Sequence, residues 1–83
     1  MSYTIKWHSE AQKFLNNLPV DISNRIIKKL EALRVKPFRY LEHYEGLYYK
    51  MRIGDYRVLI DVEFNDKILI IMVLDKRGRI YKR

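Results

Sequence analysis

The stretch that decides the fold is residues 47–63, which read LYYKMRIGDYRVLIDVE. Apolar and polar side chains alternate through Leu47–Arg52 and again through Tyr56–Glu63, a period typical of strands with one buried face. Ile53–Asp55, between them, contains a glycine and an aspartate, which are common turn residues. The stretch therefore predicts two antiparallel strands joined by a tight turn.

Downstream of this hairpin the sequence predicts a more deeply buried strand. Asn65 and Asp66 give a second turn signal. The segment that follows, Lys67–Leu74, is almost continuously apolar, as expected for a strand at the centre of a sheet. Gly78 interrupts this pattern, and Arg79–Lys82 is a candidate for a short final strand.

Upstream, the sequence predicts one strand and a first helix. Tyr3–Trp7 alternates and is rich in β-branched and aromatic residues, which favours a strand. Ser9, with Gln12 three residues later, matches a capping box at a helix start, and Pro19 ends that helix. The apolar stripe of this first helix consists of Ala11, Phe14, Leu15 and Leu18.

A second helix follows, with Asp21 as its expected N-cap, and it ends before Pro37 because the residue preceding a proline avoids the α region. Its apolar stripe consists of Ile22, Ile26, Leu30 and Leu33. The predicted order is β-α-α-β-β-β. This order indicates an α+β domain in which a two-helix hairpin packs on an antiparallel sheet of about four strands.

Composition narrows the classes of function. The chain has 83 residues, 17 Lys and Arg against 10 Asp and Glu, a net charge of +7 and no cysteine. The absence of cysteine excludes disulfides, thiolate metal sites and a cysteine nucleophile. With two histidines far apart in sequence, we expect no metal site and no cofactor. No segment resembles a signal peptide or a membrane helix, so we expect a cytoplasmic protein with an anionic partner and no membrane contact.

The arrangement of the positive charges is more informative than their number. Lys50 and Arg52 alternate with apolar residues and so project from one face of their strand, with Arg57 close to Arg52 across the hairpin. Residues 76–83 add five cations and no acid. Taken singly, each of these cations is a typical solvated surface residue. Taken together, they form a surface suited to phosphate, with Tyr48, Tyr56 and Tyr81 available to stack on exposed bases.

Two segments resemble the RelE/ParE toxin superfamily. YKMRIGDYRVL, residues 49–59, is similar to the central signature of these toxins, and KRGRIY, residues 76–81, is similar to their closing basic segment. The element order and the loop with Leu41 and Gly46 match as well. The resemblance covers nearly the whole chain and implies a single RelE-like toxin domain over residues 1–83.

For the RelE branch, the resemblance implies a ribosome-dependent endoribonuclease that cleaves messenger RNA in the A site by attack of the 2′-hydroxyl on the scissile phosphate. The implied catalytic residues are Lys50 at the attacking hydroxyl, Arg57 at the phosphate, Arg77 at the leaving oxygen and Tyr81 against the substrate. The expected RNA-binding residues are Arg52, Tyr48, Lys76 and Arg79. Tyr48 stands where well-known members carry a second lysine.

The chemistry itself is consistent with this set. Attack by the 2′-hydroxyl needs a proton acceptor, stabilisation of a pentacovalent phosphate and a proton for the leaving oxygen. Neither His8 nor His43 lies in the basic motif, so the reaction has to use lysine, arginine and tyrosine. Such a site depends strongly on substrate positioning, which fits a requirement for the ribosome.

Two other functions remain open. A ParE-like toxin would share the fold and inhibit DNA gyrase through protein contacts, although the presence of Lys50, Arg77 and Tyr81 argues against it. A non-catalytic RNA-binding or ribosome-binding module would use the same basic face. The expected partners are the ribosome with its messenger RNA and a small acidic, partly disordered RelB-like antitoxin, in a toxin–antitoxin hetero-oligomer.

Overall fold

A computed structural model describes residues 2–46 and 48–76, and the order of its elements is the predicted one with one strand added. The first strand, β1, is Thr4–Trp7, and the last three are β3 (Tyr48–Ile53), β4 (Tyr56–Glu63) and β5 (Ile68–Lys76). The helices are α1 (Ser9–Asn16) and α2 (Val20–Glu31), followed by 3₁₀ helices at Ala32–Arg34 and Pro37–Arg39 and by the additional strand β2 (Glu42–Glu45). The predicted final strand at 79–82 lies outside the described residues.

The five strands form one sheet in the order β1-β5-β4-β3-β2. Two helices on a mostly antiparallel sheet confirm the predicted α+β class. The prediction differs from the structure at both edges of the sheet. β1 pairs with β5 in parallel, with Thr4 opposite Ile68. The two helices follow β1 and cross one face of the sheet, and the chain comes back beside β1 only at β5. β2, predicted as a loop, pairs with β3 and contains a register irregularity between His43 and Glu45.

Both helices begin differently from the sequence prediction. His8, rather than Ser9, caps α1: its Nδ1 accepts a hydrogen bond from the Glu10 N–H at 3.2 Å. The His8 N–H donates to the carbonyl of Ile71 at 2.9 Å, so pairing with β5 fixes the cap one residue earlier. The expected cap of α2, Asp21, lies in the first turn, where a carboxylate interacts favourably with the helix dipole, and Pro19 occupies the cap position.

The helices cover one face of the sheet and form the core with it. Three residues of α2 and of the 3₁₀ helix that follows it are at most 1% exposed, namely Ile26, Leu30 and Leu33. They belong to one cluster with alternate residues of β4 and β5, namely Val58, Ile60, Val62, Leu69, Ile71 and Leu74. The intervening residues of β4 face the opposite side of the sheet, which the helices leave uncovered.

An aromatic group lies beside the core. Phe38 contacts three rings, with centroid distances of 6.2 Å to Tyr3, 5.2 Å to Tyr49 and 5.6 Å to Phe64. Tyr3 and Tyr49 are partly buried and pack against the core, so their role is structural. The longer helix, α2, has 12 residues, and among the described segments no helix is long and apolar enough to cross a membrane.

Candidate functional site

The predicted cations of the hairpin lie on the uncovered face of the sheet. Arg52 and Arg57 are directly opposite each other, and Lys50 lies two residues before Arg52 on the same face of β3. The alternate positions Ile53 and Tyr56 are buried on the helix side. The expectation that Tyr56 could stack on an exposed base is therefore wrong, because its ring packs in the core against Phe14. The two-residue period therefore brings together three of the predicted site residues, as the sequence indicated.

These cations line a solvent-open depression of about 480 Å³. Its lining consists of Tyr40, Glu42, Lys50, Met51, Arg52 and Arg57. Three cations against one carboxylate make this depression suitable for an anion, and its open mouth suits a polymer better than a small molecule that must be enclosed.

Glu42 is a site residue that the sequence analysis did not include. It is the register partner of Lys50, and its Oε1 lies 3.8 Å from the Lys50 Nζ. Lys50 also lies over the ring of Tyr44, with 5.7 Å between Nζ and the ring centroid. The carboxylate is 79% exposed, so this ion pair orients the lysine more than it stabilises the fold.

Tyr40 is the second site residue that the sequence analysis did not include. The tyrosine is 51% exposed and lines the depression. Its N–H donates to the Pro37 carbonyl at 3.0 Å, so the second 3₁₀ helix fixes its backbone position. An aromatic residue next to a cationic strand is the signal that could have pointed to it.

Gly54, in the β3–β4 turn, lies between two arginines. Arg52 Nε donates to the Gly54 carbonyl at 3.3 Å. The Arg25 guanidinium of α2 occupies the position that a Cβ of residue 54 would need. Gly54 also has a φ of +57°, so its backbone favours glycine, and a Cβ there would additionally push the end of the Arg25 side chain aside.

The other predicted site residues are not in this depression. Tyr48 is on the same face of β3, opposite Asp61, but outside the lining. Lys76 is the register partner of Tyr56, which places it on the helix face of β5, opposite to the face of Arg57. Arg77, Arg79 and Tyr81 lie outside the described residues. Neither histidine lines the depression: His8 caps α1, and His43 Nε2 is 2.8 Å from the Gly46 carbonyl oxygen.

The fold and the site together define a small basic α+β domain with a cationic depression on the open face of its sheet. The sequence model of a family described as the ParE toxin of type II toxin–antitoxin systems, parDE, matches residues 5–81. The chain belongs to the RelE/ParE toxin superfamily and is a toxin of a type II toxin–antitoxin system. A comparison with curated proteins gives no match.

Several solved structures are similar to the chain. The archaeal RelE–RelB complex from Pyrococcus horikoshii OT3 has 32% identity and a TM-score of 0.82, covering 95% of this chain and 99% of that one. RelBE2 from Mycobacterium tuberculosis has 22% identity and a TM-score of 0.83, covering 93% and 100%. The intact RelBE complex of E. coli has 18% identity and a TM-score of 0.77, covering 93% and 99%. The latter two demonstrate likeness of fold alone.

Proposed function

We propose that this toxin is a ribosome-dependent endoribonuclease that cleaves messenger RNA in the A site. The observation that carries the proposal is the convergence of Lys50, Arg52 and Arg57 in one open depression. Similarity to the RelE–RelB complex of Pyrococcus horikoshii at 32% identity supports the RelE branch. The proposed location is the cytoplasm, where the ribosome is found.

The proposed reaction is attack of the 2′-hydroxyl on the adjacent phosphate, which displaces the 5′-oxygen of the next nucleotide and leaves a cyclic phosphate. Arg57 and Arg52 flank the phosphate and stabilise the charge that increases in the pentacovalent transition state. Lys50 acts at the attacking hydroxyl and is oriented by Glu42. The resemblance to the RelE branch implies that Arg77 acts at the leaving oxygen and Tyr81 against the substrate.

Dependence on the ribosome follows from the composition of this site. A half-buried lysine and two arginines are a weaker acid–base set than a histidine pair. The rate then depends on holding the 2′-hydroxyl in line with the 5′-oxygen, a contribution worth up to about 7–11 kcal/mol in well-oriented reactions. A decoding centre that fixes the messenger RNA would provide this orientation.

We also propose that a small acidic antitoxin of the RelB type binds the chain. The similar structures include RelE–RelB complexes from two archaea and from E. coli. A net charge of +7 on 83 residues favours an acidic partner that neutralises the basic face. The resulting assembly would be a toxin–antitoxin hetero-oligomer.

A second candidate function is inhibition of DNA gyrase, and the observation that favours it is the match to a family named for ParE. A third candidate is an RNA-binding or ribosome-binding module that uses the same depression without cleavage. Gyrase inhibition differs from the proposed function in the target of the toxin. The binding module differs from it only in lacking the cleavage step.

One experiment separates these three functions. Purified toxin is added to ribosomes programmed with a defined message, and primer extension maps any cuts, while a parallel assay measures supercoiling by gyrase. Cuts at the A-site codon with unaffected supercoiling support the proposal. Ribosome binding without cuts indicates the module, and inhibited supercoiling with intact message indicates the gyrase inhibitor.

A further inference from the structure

In the described residues, only half of the outer edge of β3 pairs with another strand, and the other half is called the bare edge. β2 pairs with β3 from Tyr48 to Lys50 only. Beyond Lys50, from Met51 to Ile53, no strand within residues 2–46 and 48–76 lies on that side of β3. The sheet is therefore one strand narrower next to Arg52, and a ligand on the open face can reach the helix side around this edge.

A second depression, of about 360 Å³, lies on the helix side of this edge. Tyr40, Met51 and Arg52 line it and also line the first depression. Lys29 of α2 and Gly54 of the turn contribute to its far wall. Because the two depressions share three residues, they form one groove that passes from the open face of the sheet over the β3 edge to α2.

The lining of the second depression suits a nucleotide. Lys29 and Arg52 contribute positive charge, and the Arg25 guanidinium packs against Gly54 at its border. The described part of this lining includes no carboxylate. Tyr40, half exposed, offers an aromatic face where the two depressions meet. Cations that follow the backbone together with a ring that stacks on a base are the usual elements of single-strand binding.

We propose that the second depression is an RNA subsite that holds a nucleotide adjacent to the scissile dinucleotide. In this subsite Tyr40 stacks on the base, and Lys29 with Arg25 contacts the flanking phosphate. The inference rests on the proposed function, because it places the scissile phosphate between Arg52 and Arg57. RNA is favoured over a peptide strand at the bare edge, because that edge offers only three residues for pairing. The described lining of the groove, in contrast, contains four cations, Lys29, Lys50, Arg52 and Arg57, against one carboxylate.

The test measures binding of the full chain to oligoribonucleotides by fluorescence anisotropy. The oligonucleotides carry a 2′-O-methyl group at the scissile position and increase in length from a dinucleotide, one nucleotide at a time on either side. For the unaltered chain, affinity should rise when the added nucleotide reaches the second depression. Tyr40→Ala should abolish that rise, a loss of about tenfold or more, and Tyr40→Phe should retain it.

A variant of Lys29 tests the subsite independently of Tyr40, and a variant of Lys28 is its matched control. Lys29→Ala should reduce the slope of log affinity against log salt by about 0.7, the value expected for one lost phosphate contact on a single strand. Lys28→Ala removes the same charge from an exposed neighbouring position of α2 outside the groove and should leave the slope unchanged. Dinucleotide binding should be unaffected by either lysine variant and should be lost in Arg57→Ala.

The outcomes separate the two proposals. Equal affinities of the unaltered chain, Tyr40→Ala and Lys29→Ala at every length would overturn the subsite and leave the proposed function standing, provided that Arg57→Ala still loses binding. If Arg57→Ala also binds RNA normally, the proposed function itself fails. If Tyr40→Ala weakens binding of the antitoxin and not of RNA, the groove is a peptide site and the inference is wrong. Circular dichroism of each variant confirms that it is folded.

Discussion

Arg52 and Arg57 are register partners across the β3–β4 hairpin, so two guanidinium groups extend from directly opposed positions on the same face of the sheet. Like charges in this relationship destabilise a hairpin. The sequence therefore keeps an unfavourable pair next to the turn that organises the fold. On its other side Arg57 is the register partner of Asp75, whose carboxylate offsets part of this repulsion. An anionic ligand between the two arginines would relieve the rest, which is the relationship expected of a phosphate site.

Replacement of one arginine should stabilise the free protein. Arg52→Thr removes the repulsion and introduces a residue that favours strands, so the free energy of unfolding should rise by about 0.2–1 kcal/mol. Urea denaturation at low salt measures the change. At about 1 M salt the difference should shrink, because screening weakens the repulsion in the unaltered protein. A gain that is the same at both salt concentrations would show that repulsion is not its source.

Cleavage should depend on the cations of the first depression and not on positive charge in general. Arg57→Ala and Lys50→Ala should each lower A-site cleavage by about 10²-fold or more, since each removes a group from the transition state. The matched control is Lys6→Ala, because Lys6 is exposed and its register through Ile70 and Asp61 places it on the same sheet face, on β1. A comparable loss in Lys6→Ala would mean that general electrostatic attraction explains the effect.

Glu42 should influence binding and cleavage in opposite directions. Glu42→Gln removes the one acidic side chain of the described lining, so RNA should bind more tightly. Cleavage of bound RNA should fall by less than about tenfold, because the carboxylate of Glu42 is largely exposed and Lys50 also contacts the ring of Tyr44. Single-turnover kinetics on programmed ribosomes separates the two effects. A loss as large as that of Lys50→Ala would instead assign proton transfer to Glu42 itself.

The two glycines with positive φ provide a matched pair for stability. Gly46 and Gly54 both have a φ of +57°, but a Cβ at Gly46 has nothing within 4 Å, whereas at Gly54 it meets Arg25. Gly46→Ala should lower the free energy of unfolding by about 1–2 kcal/mol through the backbone alone. Gly54→Ala should lower it further, because Arg25 has to move.

The control for this pair is the Arg25→Ala background. With the guanidinium removed, Gly46→Ala and Gly54→Ala should have equal effects on urea denaturation. If Gly54→Ala remains more damaging in that background, the contact with Arg25 is not the reason for its additional cost.

Periodicity predicted the parts of the fold that bury a face. The hairpin, β5 and both helices follow from residues such as Val58, Ile60 and Ile26, whose spacing matches their burial. β2 could not be predicted in this way, since its four residues EHYE form an exposed edge with no apolar alternation. The parallel pairing of β1 and the cap at His8 both depend on β5, which lies far away in sequence.

The same distinction applies to the site. Lys50, Arg52 and Arg57 could be assigned to one depression because they lie on two regular strands with known faces. Tyr40 reaches that depression from the end of the second 3₁₀ helix and Glu42 from the edge strand β2, and neither segment has an apolar period that indicates direction. Lys76 was grouped with the cations by sequence proximity to the tail, but its register assigns it to the other face.

The pairing of Thr4 with Ile68 has a consequence for the folding of the chain during its synthesis. β1 is made before β5, its partner strand, so it has no strand to pair with until β5 has also left the ribosomal tunnel. Closing so long a loop is entropically unfavourable and slow compared with the formation of a local hairpin. We therefore expect the β3–β4 hairpin to form early and the pairing of β1 with β5 to be a late step.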